Sequence, residues 1–140
     1  MAIPTNIKTL LSGDGVEWAR IEYKETWDAA ASLKTICAFA NDLDNWGGGY
    51  IVIGVKENNG RPTYPLKGVS TDKLDAYQKS IYAKCKLIRP SYTPIISVER
   101  YQDKQFIVIW CPGGDSRPYS SPKTMGKDNK ERIHYIRKAS

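Results

Sequence analysis

A single α+β domain, with a mixed β-sheet and helices packed on it, is the architecture this sequence predicts. Three observations point there. The chain is 140 residues long, about the size of one domain and long enough to bury a core. Its apolar residues recur at period two in some segments and at helical spacing in others. No internal repeat or interdomain linker divides it. A hydrophobic content of 41% beside 26% charged residues suits a globular domain.

Residues 3–12 fit a short amphipathic helix ended by the turn-prone Ser12-Gly13-Asp14-Gly15. Trp18 to Glu25 alternates, with Ala19, Ile21 and Tyr23 on one face and Arg20, Glu22 and Lys24 on the other. That is a half-buried strand with a charged outer face. The period then changes: Leu33, Ile36, Cys37, Ala40 and Leu43 follow helical spacing, Thr26 or Asp28 can cap the start, and Gly47–Gly49 are expected to end the helix. The apolar run from Tyr50 to Val55 reads as a buried central strand, and residues 56–62 as a turn. A second long helix fits 71–88, through Leu74, Tyr77, Ile81, Cys85 and Ile88. Ser70, Thr71 and Asp72 are its start signals and Arg89-Pro90 its stop. Residues 95–111 form a hairpin turning near Asp103-Lys104, a weaker turn signal than Asp-Gly. The stretch after it, up to Lys130, is polar, basic and rich in Gly, Pro and Ser, and is expected to be mobile. Arg132–Arg137 alternates as a final strand.

Several function classes lose support at once. No apolar run approaches the roughly 20 residues that span a bilayer, and the amino terminus lacks the pattern of a secretory leader, so the cytoplasm is the expected compartment. Cys37, Cys85 and Cys111 are far apart, in apolar segments, and form no C-x-x-C pair. Buried reduced thiols are expected rather than a zinc or redox site. The one histidine, His134, removes any site needing two imidazoles and fits a strand surface.

Asn45 to Val55 raises the question of a phosphate loop, because three glycines stand against an apolar run. Phosphate loops run from strand to glycines to helix, so that the anion meets free N–H groups and the positive end of the helix dipole. Here the order is helix, glycines, strand, which would aim the anion at the carbonyl end. Gly49 and Gly54 are followed by Val55-Lys56, not Lys-Ser or Lys-Thr. The run therefore reads as a helix stop and a close-packed strand entry, and no nucleotide cofactor is expected.

Charge is more informative. The net charge is +6, distributed as −3 over residues 1–45, +5 over 46–114 and +4 over 115–140. An acidic front and a basic remainder point to a polyanion-binding surface. Arg117, Lys123, Lys127, Lys130, Arg132, Arg137 and Lys138 cluster in the last quarter, with Tyr119 and Tyr135 as rings that can stack on bases. Lys79 and Lys86 add a second basic strip on the helix at 71–88. Nothing predicts base-edge readout, so weak or shape-based specificity is expected.

The segment "AFANDLDNWGGGYIVIGVKENNGRP" closely resembles the signature of the Schlafen AlbA-like domain, once called a divergent AAA domain. An upstream element (Glu17 and "IEYKE") and a later pair ("RPYSS" and "YIRKAS") match that family's pattern in order, from Glu17 to Ser140. The resemblance implies a DNA- or RNA-binding domain, found at the amino end of bacterial transcriptional regulators and helicase-related proteins. Further carboxyl-terminal domains are thus expected in a full-length protein. Vertebrate members include metal-dependent ribonucleases with a three-carboxylate site. Glu17 and Glu22 match two of those acids. Glu57 matches one of the two acidic positions of a later "GVDD"-like element, while Lys56 replaces the other.

Those acids leave two readings beside simple binding. If the first and central strands pair, Glu17, Glu22 and Glu57 can meet at one edge and hold Mg²⁺ or Mn²⁺ for phosphodiester hydrolysis. Otherwise Glu22 pairs with Lys24 or Arg20 on a solvated strand face. A third class is a partner-docking module whose basic face meets an acidic protein. Because some vertebrate relatives build a basic groove from two such lobes, a homodimer is expected to rebuild it, with the Arg132–Arg137 strand as a contact. The reading favoured by the sequence is a DNA-binding module of a transcriptional-regulator-like protein, without catalysis of its own.

Overall fold

The computed structural model describes residues 3–12, 18–125 and 131–137. Helix α1 (Ile7–Ser12) turns Ile7, Leu10 and Leu11 inward. One 3₁₀ turn, Trp18–Arg20, precedes strand β1 (Ile21–Lys24), so the expected strand from Trp18 is shorter at its front. The alternation is as anticipated: Ile21 and Tyr23 are buried, Glu22 and Lys24 half-exposed.

Helix α2 (Ala29–Asn41) starts at Asp28, whose carboxylate accepts from the Ala31 N–H. It ends at Asp42, which adopts the left-handed conformation at φ +42° and donates its N–H to the Ala38 and Phe39 carbonyls. The stop is therefore earlier than the glycines, because an aspartate tolerates this conformation and its carboxylate then closes the loop. Leu43, expected on the helix's apolar face, lies beyond the helix and is exposed.

Strand β2 (Gly49–Ile53) runs parallel to β1, with Ile21 opposite Tyr50, and α2 is the crossover between them. All five β2 residues are buried. Two-residue strands β3 (Glu57–Asn58) and β4 (Arg61–Pro62) form a small hairpin. Helix α3 (Thr71–Cys85) follows, and a turn carries its apolar stripe on to Ile88. Strands β5 (Ile95–Tyr101) and β6 (Lys104–Cys111) are joined by Gln102-Asp103, both at positive φ. That conformation is what a two-residue primed turn requires, and it sits one residue before the expected position.

The sheet order is β1-β2-β6-β5, with β2–β6 and β5–β6 antiparallel. Both faces are covered. Ile51, Ile53, Ile107 and Ile109 pack with Leu33 and Ile36 of α2 and Ile81 of α3. Tyr50, Val52, Phe106 and Val108 pack on the other side with Leu10 and Leu11 of α1. Each such burial is worth about 1.5–3 kcal/mol, and it accounts for the unbroken apolar runs of β2 and β6.

The segment after β6, expected to be mobile, is folded as far as it is described. Arg89 and Ser120 exchange both backbone hydrogen bonds. Strand β7 (Ser121–Pro122) pairs with β8 (Arg132–Ile133), and Tyr119, Ser120 and Ser121 are buried. The buried side chain of Asn41 provides the anchor: it accepts from the Tyr119 N–H (2.6 Å) and donates to the carbonyls of Tyr119 (3.0 Å) and Tyr135 (2.7 Å). A side-chain amide here supplies partners that a strand neighbour would otherwise provide. The expected final strand shrinks to Arg132–Ile133 for the same reason.

Candidate nucleic-acid interface

The glycine run serves packing. A Cβ on Gly48, at φ +87°, would stand 1.8 Å from the Cys111 carbonyl oxygen, and one on Gly49 would stand 2.3 Å from the Phe39 ring. The N–H groups of Trp46 and Gly47, which a bound phosphate would need, are held by the Asp42 carboxylate at 2.8 and 3.0 Å. Arg20 donates to the Gly48 carbonyl at 2.7 Å.

Among the described residues, the three arginines of the last quarter bond to groups of the fold itself. Arg117 donates to the carbonyls of Asn41 and Asp42 at the end of α2, while remaining exposed. Arg132 donates to the Leu87 carbonyl and to Ser120, and loss of solvent holds its guanidinium below the usual arginine range. Arg137 donates to the Ala19 carbonyl and to Glu22 and lies over the Phe39 ring, 5.0 Å from its centre. An irregular tail leaves carbonyls and helix ends without partners, and a guanidinium with five donors meets that need better than an ammonium.

Tyr119 does not fit the proposed stacking role: it is 3% exposed, packs edge-on against Tyr92, and its hydroxyl accepts from the Ser116 N–H. Tyr135 packs partly buried against the core beneath Lys34. Lys123 pairs with Glu131. On α3, Lys79 pairs with Asp75, which raises its pKa through a side-chain hydrogen bond, and Lys86 is exposed at the helix's negative end. Lys127, Lys130 and Lys138 lie outside the described residues.

Two of the three candidate metal-ligating carboxylates share a cleft. Glu22 and Glu57 line a space of about 220 Å³ together with Arg137. Within it both oxygens of Glu22 have partners: one accepts from Arg137 at 2.9 Å, the other from the Thr35 hydroxyl at 2.8 Å. Arg137, not the expected Lys24 or Arg20, is thus its partner. Glu57 accepts from the Gly60 N–H, and Glu17 lies outside the described residues. Among the described residues no group of three His, Cys, Asp or Glu could hold a metal ion. As placed, Arg137 supplies the positive charge beside Glu22 in this cleft.

Cations gather elsewhere, at the end of the sheet where β1 leaves and the β5–β6 hairpin turns. A groove of about 460 Å³ is lined by Lys67, Lys73, Arg100 and Lys104, with Glu25 and Asp103 as its acids. Its walls are fixed by backbone. Gly68 donates to the Gly54 carbonyl and Val69 to that of Gln105. Gly68 sits at φ +71°, and a Cβ there would meet the Lys104 Cβ at 2.9 Å. Only a glycine lets the 66–70 connection lie this close to β6, and that approach sets Lys67 beside Lys104. Among the described residues, Lys73, Arg100 and Lys104 make no ion pair. Lys67 pairs with Glu25 at 2.6 Å, and this hydrogen bond holds the Glu25 carboxyl below its usual range. No run of charge in the sequence marks the groove, since its cations come from the connection before α3, from α3 itself and from both arms of the hairpin.

Fold and site together describe a small α+β domain, sheathed on both sheet faces, with a cation-lined groove at one sheet end. The chain belongs to the Schlafen AlbA_2 family, whose sequence profile matches residues 17–140. Among solved structures it is similar to the amino-terminal domain of a protein from Nitrosomonas europaea related to the ATP-dependent DNA helicase RecG. The TM-score is 0.68 at 26% identity, covering 97% of this chain and 90% of that one. A weaker likeness, at TM-score 0.49 and 16% identity, is to the DIP2311 protein of Corynebacterium diphtheriae, covering 74% of this chain and 19% of that one. No curated protein sequence matches. Among the described residues no helix is long and apolar enough to cross a membrane.

Proposed function

We propose that this domain binds nucleic acid, serving as the DNA-binding module of a regulatory protein, and that it engages phosphates through the groove formed by Lys67, Lys73, Arg100 and Lys104. The observation that carries the reading is that, among the described residues, three of these four cations make no ion pair with an acid although they come from separate segments. Bringing like charges together costs energy unless an anion joins them, and a concave wall focuses their field outward. Helix α3 starts in the groove wall, where the positive end of its dipole adds to the potential and Asp72 in its first turn offsets part of it. Family membership and the likeness to a domain of a RecG-related protein support nucleic acid as the polyanion.

The test is fluorescence anisotropy with labelled DNA and RNA at two or more salt concentrations. Phosphate-led binding weakens steeply with salt, with a slope of roughly 0.7–0.9 per phosphate neutralised. Replacing Lys73, Arg100 and Lys104 together by Ala is expected to flatten that slope by about two to three. Affinity that ignores both salt and this triple replacement would overturn the reading.

A further inference from the structure

Beside the basic groove lies a second, more apolar hollow of about 520 Å³, lined by Lys56, Thr63, Tyr64, Pro65 and Leu66, and by Lys67 and Lys104, which also line the groove. The two spaces are therefore neighbours, with Lys67 and Lys104 in the wall of both. Tyr64 is 57% exposed, the highest value among the exposed large hydrophobic residues, and it stands on a wall whose backbone is tied down: Thr63 donates to the Lys56 carbonyl at 2.7 Å. More than half of Tyr64 is open to a ligand, and Lys56, Lys67 and Lys104 line the same hollow.

We infer that the groove and the hollow form one track for a single-stranded nucleic acid, in which a base stacks on Tyr64 and its flanking phosphates lie on Lys67 and Lys104. The inference rests on the nucleic-acid reading above and adds the form of the ligand. The chemistry is specific. A duplex presents its phosphates outward and hides its base faces, so it can use the lysines but not the ring. An unpaired strand offers a base face and a phosphate within one nucleotide, which the shared lysines and the neighbouring tyrosine match. Stacking accepts any base, so the track tolerates sequence. The adjoining groove, with Lys73 and Arg100, continues the positive wall for the next phosphates.

The experiment compares the binding of single-stranded and duplex oligonucleotides of equal length to the 140-residue chain, as oligo-dT, oligo-rU and mixed-sequence duplex, each at the same two salt concentrations. The expected result is tighter binding of the single strands, with Tyr64→Ala weakening them at least about fivefold, Tyr64→Phe retaining wild-type affinity, and neither variant altering duplex binding. Because Tyr64 is exposed, both variants are expected to keep the wild-type unfolding midpoint. Salt-sensitive binding that favours duplex, or that is indifferent to Tyr64→Ala, overturns this inference and leaves the phosphate-binding groove standing. Absence of salt-sensitive binding to every oligonucleotide overturns both. The dT and rU arms report whether the strand is DNA or RNA.

Discussion

Asn41 shows how much a single side chain can organise. Its amide is buried and makes three hydrogen bonds to backbone groups of Tyr119 and Tyr135, joining the end of α2 to a segment about eighty residues away. Asn41→Ala would leave those backbone groups without their partner, at a cost of about 3 kcal/mol. The shift of the urea unfolding midpoint measures it. Gly68 acts through what it lacks: Gly68→Ala places a Cβ 2.9 Å from the Lys104 Cβ and forces a left-handed alanine. The expected loss is about 1–2 kcal/mol of stability, accompanied by weaker polyanion binding because Lys67 and Lys104 no longer lie side by side. Unchanged stability in either variant would contradict the packing described.

Between elements, the exit of β1 and the connection into α3 meet at the Glu25–Lys67 pair, which subtracts one cation from the groove. Both side chains are about half exposed, so the pair itself adds little to stability. Glu25→Gln frees the Lys67 ammonium, and polyanion affinity is expected to rise by up to about fivefold, the scale of one surface charge interaction. Anisotropy titration of the variant beside wild type checks the sign; a fall in affinity would mean that the groove is not the binding surface. The contrast with the tail is physical. Arginines there satisfy stranded carbonyls, whereas the groove's lysines rise from a helix turn and a hairpin whose backbones are already paired.

Across the whole molecule, the three thiols report how tightly the face of the sheet under α2 and α3 is covered. Cys37, Cys85 and Cys111 are buried, and loss of solvent raises all three pKa values, that of Cys85 to about 12. A thiol reagent near neutral pH is expected to modify none of them in the native protein and all three after unfolding. The sign of the pH effect follows from linkage. A thiol raised in the folded state supports folding fully below its unfolded pKa of about 8.5, and that support is lost as pH rises through about 12. Stability measured by denaturant unfolding should therefore fall between those limits. Rapid native modification of the thiols would contradict the packing of α2 and α3 on their face of the sheet.

What the sequence determined by itself was whatever depends on near neighbours along the chain. The alternation of Ile21 and Tyr23, the helical stripe from Leu33 to Ala40, the unbroken apolar run of β2 and the start of α3 at Ser70 are local signals, and each element formed where its period required. The likeness to the family was legible for the same reason, being carried by contiguous residues. Charge in the last quarter was also legible, but its use was not. A guanidinium's partner is chosen by what the fold brings within reach, so Arg132 and Arg137 became internal donors and Tyr119 became core. Only the tertiary structure placed Lys67, Lys73, Arg100 and Lys104 around one groove, because they are separated by up to 37 positions and no periodicity links them. Hydrogen bonding of the 66–70 connection to β6, permitted by a glycine at positive φ, decided it.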